Sequence, residues 1–237
     1  MLDEVFDKYK DNFKHFIIFF ILSIVIAFII KNSGIITFQS TDLNIDNNLE
    51  EILSVKNIIT ILVFILVEIY ITTYGLILAK KAIKEEPVHM GESFTDTFSY
   101  YPRVLGLNLI FIILIIAINL LLGKLISITT SYGFLMFHFI LYFFIIILFW
   151  IFTQTIQNYL VYYDGNIGHS IRGGISVGKS YFFKMLGLSI VSSLIGNLPK
   201  MESAKNSWIV YVIGILIVNM YNMFMNLYII NLCKIEE

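Results

Sequence analysis

The chain has 237 residues, a formal net charge of −1 and a mean hydropathy of +0.83, with 58% hydrophobic and only 14% charged residues. Soluble domains carry about 25% charged residues, so this composition excludes an ordinary soluble globular protein, and the near-neutral balance argues against a nucleic-acid binder. The one cysteine, Cys233, permits no intramolecular disulfide and no cysteine-based metal site.

A helix that crosses a bilayer core needs roughly 20 apolar residues, and six blocks meet that need. The first, 14–31, follows a leader bearing Lys8, Lys10 and Lys14 and runs into KNSGIITF. No small-residue cleavage site follows it, so it reads as a retained helix, not a secretory signal. A polar, acidic loop comes next, then 57–79, with Glu68 at its centre, then 104–123 and 134–157. The fifth block, 185–199, is the shortest and ends with Asn197 and Pro199; the sixth is 208–232. The expected fold is an all-α polytopic integral membrane protein, a single domain of six transmembrane helices over 1–237. The abundance of Ile, Phe, Lys, Asn and Tyr points to an AT-rich bacterial genome and so to the bacterial cytoplasmic (inner) membrane.

Cytoplasmic loops carry excess Lys and Arg. With the N-terminus inside, 11 of the 16 basic residues fall in cytoplasmic segments. The bias predicts both termini in the cytoplasm.

Two cytoplasmic segments resemble one another. MGESFTDTFSYYPRVLGLNLI begins at Met90 and IGHSIRGGISVGKSYFFKMLGLSI at Ile167. Both run Gly-x-Ser-apolar, then a basic residue (Arg103 or Lys184), then a helix with Leu-Gly-Leu. Two parallel repeats, about 57–123 and 134–199, are expected, each with a cytoplasmic surface helix. Phe94, Phe98, Tyr101 and Leu105 share the spacing of Ile171, Ile175, Gly178 and Phe182, which predicts an apolar stripe on each surface helix. Pro102 is expected to break or kink the first one. Arg103, Arg172, Lys179 and Lys184 are candidate contacts for lipid headgroups or a cytoplasmic partner.

The second copy contains Gly173-x-x-x-x-Gly178-Lys179-Ser180, which matches the P-loop pattern. That chemistry needs a buried strand before the glycines and an acid on another strand to hold magnesium. YYDGNIGHSIR is no buried strand, and the segment is too short for an α/β domain. No direct nucleotide binding is expected at Gly173–Ser180, and no cofactor.

On Gly91-Ser93-Phe94 and Gly168-Ser170-Ile171 before an apolar helix, residues 57–199 resemble a diffuse bacterial family. It comprises the membrane domain attached to some glycerophosphodiester phosphodiesterases and its uncharacterised stand-alone relatives. The catalytic barrel of those enzymes has no counterpart here. The resemblance implies a non-catalytic membrane module and transfers no active site.

Glu68 is the sharpest single feature, about 16 Å from either end of its span. A carboxylate at that depth costs roughly 2.5–3.5 kcal/mol on insertion scales, so it should face the bundle interior. Asn219, Asn222 and Asn226 share one face of the sixth span, and Asn219 and Asn222 lie at its depth. Glu68 reads either as a proton or cation site or as a neutral carboxyl that donates a hydrogen bond between helices, and a contact to Asn219 or Asn222 is expected. Gln154, Gln157 and Asn158 mark the cytoplasmic end of the fourth span, where Gln157 and Asn158 read as a boundary or a cavity mouth, and His138 reads as an interfacial or hydrogen-bonded residue, not a metal ligand. Ser189 with Ser193, and Ser192 with Gly196, predict close helix packing. Trp150 and Trp208 read as interface anchors. No catalytic set and no metal set is visible. The function expected is a non-catalytic module in the envelope, export or a membrane complex. The alternative is a transporter or ABC-type permease subunit, with a polar site around Glu68 and an ATPase partner.

Overall fold

In hydrocarbon every backbone N–H and C=O must be satisfied within its own segment, and long Ile-, Leu- and Phe-rich blocks achieve that as helices. The computed structural model describes residues 1–32, 55–127, 132–201 and 207–236. Among these it has seven α-helices and no strand: α1 (Leu2–Asn32), α2 (Val55–Ile83), α3 (Met90–Ser127), α4 (Tyr132–Tyr163), α5 (Ile167–Ser180), α6 (Phe182–Gly196) and α7 (Trp208–Ile235). A 3-10 turn, Leu198–Lys200, follows α6. The acidic loop at 33–54 and Lys205 lie outside the described residues. Six stretches are long and apolar enough to cross a membrane: Leu2–Asn32, Asn57–Ile83, Met90–Lys124, Met136–Tyr163, Phe182–Lys200 and Trp208–Ile235. The chain is thus suited to be a multi-pass membrane protein, as the hydropathy predicts.

α7 is the hub, touching α1, α2, α4 and α6. Its C-terminal half from Met225 to Cys233 is buried throughout. Phe16 of α1, Tyr74 and Leu78 of α2, and Met223 and Leu227 of α7 belong to the same core. Both termini lie at this packed end. Glu4 is 3.9 Å from Lys234 and 3.5 Å from the Asn231 amide, and the Tyr163 hydroxyl donates to the Cys233 carbonyl at 2.9 Å. Lys8 pairs with Glu85 at 2.6 Å, and that hydrogen bond and charge hold the Glu85 carboxyl below its usual range. Glu85 has φ 57° at the end of α2, where the Glu86 N–H closes a Schellman-type bond to the Lys81 carbonyl. The opposite halves of the helices show their apolar side chains outward, with Ile113 65% and Ile140 65% exposed.

The first surface helix departs from expectation in two ways. Pro102 does not break the first: α3 runs unbroken for 38 residues with Pro102 inside it. Neighbours hold the backbone on both sides of the proline. Tyr100 accepts from Lys80 at 2.7 Å, Tyr101 donates to the Leu66 carbonyl at 3.1 Å, and Arg103 is tied to the end of α4. The predicted stripe is also displaced by one residue. Ser93, Thr97, Tyr100 and Val104 are buried, whereas Phe94 and Phe98 are 43% and 62% exposed. Small hydroxyl side chains let α3 approach its neighbours closely, and Thr97 satisfies its own hydroxyl on the Ser93 carbonyl at 2.8 Å. The two phenylalanines instead gather around Tyr70, each 5.1 Å away between ring centroids. The second stretch differs in form. Asn166 caps α5 by accepting from the His169 N–H at 2.8 Å, and the helix stops at Tyr181 before α6 begins. α6 is 15 residues long, so it rises only about 22 Å. The 3-10 turn lengthens that crossing, and α7 meets it at Gly214, where a Cβ would sit 3.1 Å from the Pro199 nitrogen.

Candidate functional site: a polar cavity between the spans

Above the packed end, α1, α2, α4, α6 and α7 diverge around a cavity of about 440 Å³. Glu68 and Thr72 enter from α2, Gln154 from α4, and Asn219, Asn222 and Asn226 from α7. Ser23 of α1 and Ser192 of α6 complete the polar lining. The three asparagines recur at three and four residues, which sets them on one helical face. The apolar wall includes Phe19, Ile26, Ile71, Trp150, Ile215 and Val218. Among the described residues that line the cavity, Glu68 is the only ionisable side chain. Lys31 lies just past the lining residue Ile30, and its ammonium is held 3.9 Å from the ring centroid of Tyr211.

The structure therefore brings Glu68, Asn219, Asn222 and Asn226 to one cavity, but no direct contact joins them. Glu68 is exposed to the space, and among the described residues it makes no hydrogen bond or ion pair. Asn219 turns its amide back to the Ile215 carbonyl of its own helix, at 2.9 Å. The expected Glu68–asparagine bond is replaced by open volume.

Other sequence expectations are redrawn here. Gln154 lines the cavity. Gln157 and Asn158 are 5% and 0% exposed. Gln157 donates to Asn108 of α3 at 3.0 Å, which joins two spans. Ser192 and Gly196 line the cavity, and a Cβ at Gly196 would meet nothing within 4 Å. Trp150 also lines it, whereas Trp208 stacks on Phe28 with centroids 5.1 Å apart. His138 meets the Phe134 carbonyl at 2.7 Å through Nδ1, which donates in the tautomer that protonates it. Ser23, Thr72 and Ser192 carried no signal in sequence as cavity residues, since hydroxyls satisfy themselves on helix carbonyls anywhere in a membrane.

The P-loop-like glycines have a packing role. A Cβ at Gly173 would lie 2.1 Å from Tyr159, one at Gly174 2.4 Å from the Ile156 Cα, and one at Gly178 2.9 Å from Phe152. α5 lies against α4 through this glycine face. All three sit within a helix that has no preceding strand. Ser180 donates to Glu236 at 2.8 Å. Arg103 is also spent internally: it pairs with Asp164 at 2.8 Å and donates to the carbonyls of Asp164 and Gly165 at 3.1 and 3.2 Å. Asp164, at φ 55°, ends α4 in the left-handed region, and the Arg103 fork holds that turn. Of the four basic candidates, Arg172, Lys179 and Lys184 remain exposed.

Among the described residues no group of three or more His, Cys, Asp or Glu is placed to hold a metal ion. Compared with known proteins, the chain matches no family model, no curated sequence and no solved structure.

Proposed function

We propose that this chain is an integral membrane protein that binds a polar solute in a cavity between its spans and serves as a transporter or permease component, without catalysis of its own. One observation carries the reading: a lone carboxylate, Glu68, faces a cavity of about 440 Å³ together with Asn219, Asn222 and Asn226. An intramembrane carboxylate is costly and marks a pathway or binding site more readily than glue. Glue would require the partner bond that the open volume replaces. Ligand pockets span roughly 300–1,000 Å³ and combine apolar walls with a few polar groups, which matches this lining.

The basic-residue bias supports an orientation with both termini in the cytoplasm of a bacterial inner membrane, and the shared end of the termini agrees with an even number of spans. The Gly-x-Ser similarity supports two parallel repeats and the resemblance to the non-catalytic membrane domain. The exposed side chains of Arg172, Lys179 and Lys184 favour a second reading, a membrane module whose short helices dock an ATPase or other partner subunit. The two are compatible in an ABC-type permease. Co-purification of an ATPase that is lost when all three are changed to Glu supports that arrangement.

The transport reading is tested in a deletion strain grown across a panel of toxic polar solutes. The wild-type gene is expected to restore the altered tolerance and Glu68→Gln to fail. Full restoration by Glu68→Gln, expressed at the wild-type level, removes Glu68 from the function.

A further inference from the structure

We propose that the cavity takes a small organic monocation, a protonated amine on an apolar body. This rests on the solute-binding reading above and names the ligand's chemical class. Charge comes first. Among the described lining residues Glu68 is the sole ionisable group, so a single positive charge balances it, while a dication leaves an excess charge. Lys31, one residue past the lining residue Ile30, is turned onto Tyr211 at 3.9 Å and is not itself a lining residue. An anionic ligand would meet Glu68 with no basic side chain to offset it.

The remaining lining separates an organic cation from a metal ion. A hard metal ion gathers about six or more oxygens at 2.0–2.6 Å in a tight cage. Here a single carboxylate borders a volume of about 440 Å³, far more than one ion fills. Asn219, Asn222 and Asn226 offer amide oxygens that accept from an ammonium, and they stand on one face of α7 beside Glu68's space. Phe19 and Trp150 line the same cavity, and aromatic faces attract ammonium groups. Ile26, Ile71, Ile215 and Val218 give an apolar body something to bury against.

The test uses the full-length protein in lipid nanodiscs and follows its thermal midpoint with five probes: 2-phenylethylammonium, 2-phenylethanol, 3-phenylpropionate, sodium ion and magnesium ion. The ammonium compound is expected to stabilise the protein, and its apparent affinity to fall about tenfold or more in Glu68→Gln. A second variant, Gly196→Phe, narrows the cavity without touching the carboxylate; a Cβ there meets nothing within 4 Å, so the helix tolerates it. It is expected to weaken the ammonium compound to a similar extent. Stabilisation by the alcohol or the carboxylate that Glu68→Gln leaves unchanged overturns the cationic class but not the solute-binding reading. Stabilisation by sodium or magnesium alone, lost in Glu68→Gln, overturns the organic body. Ammonium binding unaffected by either variant places it elsewhere and overturns the site. Silence from all five probes overturns the inference. Alkylation of Ser192→Cys by a water-borne thiol reagent then decides whether the cavity itself survives.

Discussion

Gly174 lies so close to α4 that an added methyl would fall 2.4 Å from the Cα of Ile156, a backbone atom that has no rotamer to give. Gly174→Ala is expected to destabilise the protein by about 1–3 kcal/mol through overpacking. Gly187, in the middle of α6, has nothing within 4 Å of its would-be Cβ, so Gly187→Ala is expected to be neutral or to stabilise by up to about 1 kcal/mol. Thermal unfolding of the two variants in one detergent checks the contrast, and ATP is expected to shift neither midpoint. At this scale the sequence was legible where a residue violates its surroundings. Glu68 stood out because a charge inside an apolar block has few explanations. The glycines misled because close approach between helices and close approach to a phosphate ask for the same missing Cβ, and only the element that lies against them tells the two apart.

Helices were legible as blocks because hydrocarbon enforces them; their ends and joints were not. Pro102 removes an N–H and was expected to interrupt α3, yet the helix continues because α2 and α4 hold it from either side. Pro102 is exposed, so Pro102→Ala restores a backbone bond without disturbing packing and is expected to stabilise by about 1–3 kcal/mol. A fall in stability would show that the proline itself supports the helix as it stands. Arg103 reads in sequence as a boundary cation free for lipid or a partner. The structure sets its fork on the left-handed turn at Asp164 and Gly165. Arg103→Ala is expected to cost about 1–2 kcal/mol, and Arg103→Lys nearly as much, since an ammonium lacks the fork. Equal thermal midpoints for Arg103→Lys and wild type would assign it a charge role alone. The one-residue displacement of the stripe on α3 has the same origin. Phe94 and Phe98 form the apolar stripe that the spacing shows, but Ser93 and Thr97 are the buried residues beside them, because small side chains pack closer.

Across the whole molecule, the helices pack densely at the end that holds both termini and part toward the other, and the cavity occupies the place where they part. Hydropathy gave the number of apolar helices, and depth along the spans brought Glu68 level with Asn219 and Asn222. Neither reveals volume. The expected hydrogen bond and the observed cavity use the same residues at the same depth, and they differ only in how far apart α2 and α7 stand. That separation is set by bulk on five helices at once, which no single stretch of sequence records. The central claim is that water and solute reach Glu68 and the asparagines between the spans. Cys233 is fully buried in the apolar core, so Cys233→Ala, which adds no buried hydroxyl, supplies a chain free of thiols. Single cysteines are then placed at Asn222, which lines the cavity, and at Ile113, a side chain on the outer apolar surface that is 65% exposed. Their alkylation by a small, water-borne cationic thiol reagent is timed in native membranes. Asn222→Cys is predicted to react at a rate close to that of a loop cysteine, with Ile113→Cys unreactive. An Asn222→Cys as inert as Ile113→Cys would contradict the account.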